Sequence, residues 1–361
     1  MPLYDAIIVG AGVAGMAAAS ALAKQGLRIA IIDKGSPDVL KPGECLMADA
    51  LKIMKRLGLS EDFIAANHRS LQAYHVNWGQ QSSYQRHLLT SPMGAGWIVN
   101  RQHFDGMLLK HCQQQQVEMF WQNSLQAIAR DNSGYWQLQL KNPEKLCLSA
   151  RFVLDASGRA RAFTRHLGIN SQRLDKMVAT SCHIHSVSEL SAATATIASD
   201  YQGWWYYAKY SDTRGCLCYF SDGDLPLPDG PKTLLAQANK QNLLVPLLAD
   251  ARPMTSTFKR SAAYSSALQS CVGENWLALG DAAASFDPLS SYGMTSALSG
   301  AFYASQALKR YFNHQPQYLQ TYQQLMQKNF LAYLEKRYQQ YEQVAGYNSP
   351  FWQRRQQGAA A

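Results

Sequence analysis

Three glycines stand close together near the start of the chain, in Gly10-Ala11-Gly12-Val13-Ala14-Gly15, and an aspartate, Asp33, follows them. Each has a definite job if the partner is a dinucleotide. Gly10 permits a tight turn. Gly12 lets a pyrophosphate approach the backbone, where any Cβ would collide with it. Gly15 lets a helix pack closely on a sheet. The free N–H groups that open such a helix, with its positive end, then face the phosphates. Asp33 accepts hydrogen bonds from both ribose hydroxyls, and its charge disfavours a 2′-phosphate, hence NADP, at this site. Further groups lie far along the chain. Asp155-Ala156-Ser157-Gly158-Arg159 and Leu279-Gly280-Asp281-Ala282 are two more polar glycine turns. Asp287-Pro288-Leu289-Ser290-Ser291-Tyr292-Gly293-Met294 extends the second.

The elements around these residues supply the context that a lone glycine motif lacks. Asp5 to Val9 is an apolar run of strand length. Met16 to Lys24 is an alanine-rich helix former. Arg28 to Ile32 reads as a second strand that ends in Asp33, so the order is strand, glycine turn, helix, strand, acid. Arg151 to Asp155 and Asn275 to Leu279 read as strands that deliver the two later turns, and a small-residue helix runs on to about Leu308.

The later turns choose between dinucleotides. An aspartate at a strand end, Asp281, can accept a hydrogen bond from a ribityl chain. The helix after Pro288 points its N-terminus at an isoalloxazine, where a reduced flavin carries negative charge. Gly293 allows close backbone approach. NAD dehydrogenases have no need of such a segment, so the expected cofactor is FAD, with NAD(P)H as a transient electron donor because no second glycine fingerprint is present.

The order of the glycine cluster, Asp33, Arg101, Asp155 to Gly158 and Gly280-Asp281 resembles the p-hydroxybenzoate-hydroxylase-type flavoproteins. The resemblance implies an α/β fold: a Rossmann-type FAD-binding domain, an interleaved smaller β-sheet domain over the flavin, and a C-terminal helix. It implies an FAD set of Gly10, Gly12, Val13, Ala14, Gly15, Asp33, Lys34, Gly43, Glu44, Arg101, Leu125, Ala156, Gly158, Gly280, Asp281, Pro288, Ser291, Gly293 and Met294. Lys41-Pro42-Gly43-Glu44 is similar to a segment of flavin halogenases and geranylgeranyl reductases. Gly203-Trp204-Trp205-Tyr206 and Ser349 to Arg355 resemble a halogenase-like branch. Within that branch the chain resembles flavoproteins that modify tryptophan in precursors of amine oxidases carrying cysteine tryptophylquinone.

The expected FAD domain is discontinuous, over residues 1–70, 97–170 and 271–310. The expected substrate domain takes 71–96 and 171–270, and a C-terminal helical segment takes 311–361. In the latter, Tyr322, Leu325, Met326, Leu331, Leu334, Tyr338 and Tyr341 have largely helical spacing. Trp352, Arg354 and Arg355 either anchor the tail or meet an acidic partner.

Candidate chemistry centres on Trp204, Tyr206 and Pro288. Alternating aromatics on a strand are commonly core, and only one face can line a cavity, so only some of Trp204, Trp205 and Tyr206 are expected there. His183 and His185 share a strand face and read as structural before they read as acid–base groups. Asp287 reads first as a helix N-cap. Arg101 is expected to contact the FAD. No metal-ligand spacing and no Ser-His-Asp signature is visible.

Composition narrows the class. Of 361 residues 47% are hydrophobic and 16% charged, a globular balance, and no apolar run is long enough to span a membrane. The net charge is +9, yet no basic stripe or nucleic-acid motif accompanies it, which argues against nucleic acid. Seven scattered cysteines and no secretory leader point to a reducing cytoplasm. The leading expectation is monooxygenation with O₂, on the resemblance at a tryptophan of a precursor protein. Halogenation is the alternative; the resemblance there demands a lysine between flavin and substrate, but there is none between Lys55 and Lys110. A flavoprotein maturation factor without turnover is a third reading. A reductase of isoprenoid double bonds is a fourth, which the polar, aromatic second domain fits poorly.

Overall fold

A computed structural model describes residues 3–79, 82–88, 94–141, 146–188, 193–344 and 346–356. The end of the expected C-terminal segment, 357–361, lies outside them. Two eight-stranded sheets organise the chain.

The first sheet begins where the glycine motif required it. Leu3–Val9 is its central strand, and Gly10 leads into the helix Val13–Ala23. Spatial order runs Val272–Gly273, Trp276–Ala278, Cys147–Asp155, Leu3–Val9, Ile29–Ile32, Glu118–Phe120. From Trp276–Ala278 onward the neighbours are parallel. A doubly wound sheet of this kind binds ligands at the carboxyl ends of its strands. Strands Ser124–Arg130 and Trp136–Lys141 add an antiparallel ribbon to Cys147–Asp155. The helix Gly293–Phe312 packs against Val13–Ala23. The alanines of the first helix, Ala17, Ala18 and Ala19, are all buried; their small size suits a helix packed on several sides, by Gly293–Phe312, by Arg101–Gln114 and by the sheet.

Two glycines are fixed by sterics. Gly10 has φ +112°, and a Cβ there would sit 2.4 Å from the Ala156 carbonyl oxygen. A Cβ on Gly15 would sit 1.9 Å from the carbonyl oxygen of Gly10. Gly10→Ala is therefore expected to cost more than about 1 kcal/mol of stability through its positive φ, with the clash added. A urea titration showing an unchanged midpoint would contradict this account of the turn.

The second sheet is mainly antiparallel. Its order is Arg252–Pro253, Met177–His185, Arg214–Asp222, Gly203–Lys209, Thr194–Asp200, Ala73–Asn77, Tyr84–His87, with Lys259–Ala262 also on Met177–His185. Register sets the faces. Trp204 lies opposite Phe220, Tyr206 opposite Cys218, and His183 opposite Cys216, and these residues look toward the first domain. Trp205, Tyr207, Leu217 and Tyr219 look the other way and pack with Leu234, Leu247 and Leu248, from the helices Pro231–Ala238 and Val245–Leu248.

A small sheet joins Cys45–Leu46, Arg69–Leu71 and Gly96–Ile98. It holds the Pro42-Gly43-Glu44 loop, whose Glu44 carbonyl accepts from the N–H of Val99 at 2.7 Å. The helix Gln317–Glu342 then crosses to the second sheet, and Pro350–Gln356 closes against it. Arg355 pairs with Asp222 at 2.6 Å with both side chains buried, and Arg354 pairs with Asp222 and Asp224. The tail basic residues thus anchor the chain to itself.

Candidate FAD site

A cavity of about 400 Å³ lies between the strand ends of the first sheet and the aromatic face of the second. Its first end is the glycine turn. Gly12, Val13 and Ala14 line it, and the helix they open has no side-chain cap, so its leading N–H groups are free to donate. A Cβ built on Gly12 meets nothing within 4 Å. The room that glycine keeps clear is therefore cavity, in contrast to the crowded Gly10 and Gly15. Asp33 braces the turn from below: one carboxylate oxygen accepts from the N–H of Ala11 at 2.6 Å and the other from Gly35 at 2.6 Å. Each oxygen retains a lone pair for a ribose hydroxyl.

The middle is walled by Ala156, Gly158, Arg159 and Asp281. Asp155 is buried beneath it. Its carboxylate accepts from the N–H groups of Ser157, Phe163 and Thr164 and from two hydroxyls, which shapes the turn that carries Ala156 and Gly158. Asp281 reaches the cavity, but its carboxylate already holds Arg159 at 2.5 Å. Arg159 is pinned in turn by the carbonyls of Tyr264 and Phe286. Sequence reasoning placed Arg159 next to the turn and did not single it out; an arginine directly after the Asp155 to Gly158 motif was the available signal. Gly280 lies below this wall at φ +58°, with Ala14 too near to admit a Cβ.

Pro288, Ser291, Gly293 and Met294 form the third stretch. A Cβ on Gly293 would meet nothing within 4 Å, and the helix Gly293–Phe312 opens here without a side-chain cap. Two helix N-termini therefore meet one cavity, an arrangement that favours negative charge at both ends of a bound ligand. Opposite lies the Pro42-Gly43-Glu44-Cys45 loop. Arg101 clamps it, donating to the Pro42 carbonyl at 2.9 Å, while Asp105 holds both Arg101 and Lys41. The Glu44 carboxyl is buried without a hydrogen-bond partner, and burial pushes its pKa up to about 7.

The roof belongs to the second sheet. Trp204, Tyr206, Cys218, Phe220 and Ala179 line it. Trp204 stacks on Phe220 with ring centroids 4.0 Å apart. Its indole N–H donates to the Tyr341 hydroxyl, which donates to Asp287. Asp287 also caps Leu289 N–H, as its position before Pro288 suggested, and pairs with Arg337. The Tyr206 hydroxyl lies 3.1 Å from the Cys45 Sγ. Trp205 is turned to the opposite face, as strand alternation requires. His183 is buried and His185 is exposed.

The structure thus gathers fifteen of the candidate residues around one cavity: Gly12, Val13, Ala14, Gly43, Glu44, Arg101, Ala156, Gly158, Asp281, Pro288, Ser291, Gly293 and Met294, with Trp204 and Tyr206 in the roof. Gly10, Gly15 and Gly280 shape the backbone beneath it. Lys34 is exposed beyond Asp33, and Leu125 lies on the strand entered at Asn123, whose N–H donates to the Asp33 carbonyl; neither lines the cavity. Arg159, Cys218, Phe220 and Phe286 line it and were not among the candidates. The uncapped helix starts, the space at Gly12 and the doubly anchored Asp33 fit an FAD pyrophosphate and ribose.

Comparison with known proteins agrees with this geometry. Residues 3–329 match the family described as FAD binding domain. The FAD-dependent oxidoreductase LodB of Marinomonas mediterranea is 26% identical, over 98% of this chain and 97% of its own. Among solved structures, the myxobacterial chondrochloren halogenase CndH superposes with TM-score 0.88 at 20% identity, over 98% of this chain and 86% of that one. The peptidyl tryptophan dihydroxylase QhpG, essential for tryptophylquinone cofactor biogenesis, superposes with TM-score 0.77 at 23% identity, over 99% and 80%. With the matched segment spanning the glycine turn, the Asp281 wall and the aromatic roof, the chain belongs to the FAD-binding-domain family and is an FAD-dependent oxidoreductase.

Proposed function

We propose that the chain is a monooxygenase that hydroxylates an aromatic side chain, a tryptophan of a precursor protein during formation of a cysteine tryptophylquinone cofactor. The observation that carries this reading is the roof: stacked Trp204 and Phe220, with Tyr206, face the FAD-binding turns across the cavity. A flat aromatic guest gains offset or edge contacts of about 0.5–1.5 kcal/mol per ring there, beyond its buried area. Similarity to QhpG, a peptidyl tryptophan dihydroxylase, supports the same class of substrate. No lysine is found among the described residues that line the cavity, which disfavours halogenation by a lysine-relayed oxidant.

Bound FAD would supply the activation of O₂, with NAD(P)H or a separate reductase as electron source. The protein's own part is positional. Gly12, Val13 and Ala14 hold the pyrophosphate, Asp33 the ribose, and the helix start at Gly293 and Met294 favours charge at the flavin end. Trp204 and Tyr206 orient the ring of the substrate, and the apolar roof excludes water. Pro288 fixes the entry of the helix turn beside it. Seven unpaired cysteines fit a reducing cytoplasm as the place of action; among the described residues, no helix is long and apolar enough to cross a membrane.

The test is a mass measurement. Protein loaded with FAD and supplied with NAD(P)H and O₂ is expected to add one or two oxygen atoms to a tryptophan-containing precursor. A precursor unchanged in mass under those conditions defeats the proposal, and a halide-dependent gain of halogen transfers the reading to a halogenase.

A further inference from the structure

Three donor groups far apart in the sequence meet beside the cavity. Glu44 comes from the loop held by the small sheet. His183 and Cys216 are a cross-strand pair on the face of the second sheet that covers this loop. One donor atom from each lies within 4.8 Å of the other two, and all three residues are buried. Glu44 is 1% exposed and His183 4%. Both carboxylate oxygens of Glu44 and Nε2 of His183 are without a hydrogen-bond partner.

Groups this deeply buried are normally paired, and a direct Glu44–His183 hydrogen bond is not formed. The other imidazole nitrogen is already engaged. Nδ1 of His183 lies 3.1 Å from the Tyr210 hydroxyl, which leaves Nε2 for a ligand. A histidine held through one nitrogen by an outer partner, with the second nitrogen free, is the common arrangement at metal sites. Charge agrees: one carboxylate, one thiolate and a neutral imidazole cancel a divalent cation, so the loaded site carries no net charge into a dry interior. A mixed O, N and S donor set suits zinc. Cys218 is a further sulfur close by, its Sγ 3.7 Å from that of Cys216.

We propose that Glu44, His183 and Cys216 bind one divalent transition-metal ion of the zinc class, clipping the loop at the edge of the FAD cavity onto the second sheet. Donors come from both sides of the domain contact, so the ion would fix the separation of roof and floor.

The full chain, loaded with FAD and freed of metal, is equilibrated with Zn²⁺, desalted, and assayed for metal per flavin by mass spectrometry. Co²⁺ in a parallel sample reports thiolate ligation as a near-ultraviolet charge-transfer band in the difference spectrum. One equivalent of zinc is expected. Cys216→Ser is expected to lose the cobalt–thiolate band. Tyr210→Phe, which removes only the hydroxyl behind His183, is expected to weaken zinc binding by about 10–100-fold. Retained flavin absorbance shows that each variant folds, and Tyr210→Phe carries the test if Cys216→Ser does not. Absence of stoichiometric zinc from the unaltered chain, zinc affinity unmoved by Tyr210→Phe, or a cobalt–thiolate band that survives Cys216→Ser each overturns the proposal. The readout is metal content, so it stands apart from the outcome of the hydroxylation assay.

Discussion

Gly12→Val is expected to leave the fold standing and to weaken FAD binding by about a hundredfold. The two halves of that expectation come from the same observation. Apart from its own chain neighbours, nothing lies within 4 Å of a Cβ at position 12, so the first side-chain atom added there clashes with nothing in the unliganded chain. The space it would fill is the one the pyrophosphate needs. Pushing the phosphates off the helix start forfeits two hydrogen bonds to a charged group, roughly 1.5 kcal/mol each, and about 1.4 kcal/mol is tenfold in affinity. Flavin fluorescence titration gives the affinity, and a urea titration gives the stability. Undiminished affinity refutes the site. A collapse of stability would instead mean that Gly12 is a packing glycine like Gly15.

The second large effect is expected far from the glycine turn. Trp352 is fully buried. Its ring packs edge-on to Trp78 and stacks on Tyr347, and its indole N–H donates to the Asp200 carbonyl at 2.9 Å. Trp352→Ala is expected to destabilise the protein by about 3–5 kcal/mol, as deletion of a large buried aromatic does, with a lowered urea midpoint as the measure. A further consequence follows for the cavity. Trp78 contacts both Trp204 and Tyr341, and Tyr341 accepts the Trp204 indole N–H. Loss of Trp352 therefore loosens the roof, and apparent affinity for an aromatic ligand should fall while FAD affinity is kept. A variant with unchanged urea midpoint would show that the tail is only loosely docked.

The glycine turn, Asp33, the Asp155 and Asp281 turns and the Gly293 helix were legible because each answers a backbone requirement that few residue types can meet. Gly10 must take a positive φ, and Gly12 must leave space. The alternation at Trp204, Trp205 and Tyr206 told that only one face could line a cavity, and the sheet register then decided which. What the sequence could not show were partners at long range. Phe220 and Cys218 join the roof only through pairing with Gly203–Lys209. Arg159 acquires its place from the carbonyls of Tyr264 and Phe286, and Asp287 serves Tyr341 and Arg337 as well as its own cap. Glu44, His183 and Cys216 show no metal-like spacing because the three come from separate elements, which only the folded sheet face brings close.

The central strand Leu3–Val9 takes one neighbour, Ile29–Ile32, from nearby in the chain and the other, Cys147–Asp155, from beyond the first crossing of the second sheet. The strand Trp276–Ala278, with Val272–Gly273 outside it, arrives only after the second crossing. Parallel pairings of such long sequence separation must close large loops before any contact repays the entropy, which makes folding slow. Until Trp276–Ala278 docks, Cys147–Asp155 is left with an open edge for its last residues, where another chain can pair. Assembly of the first sheet is therefore expected to be the aggregation-prone stage of folding, and yield on refolding should fall steeply with protein concentration.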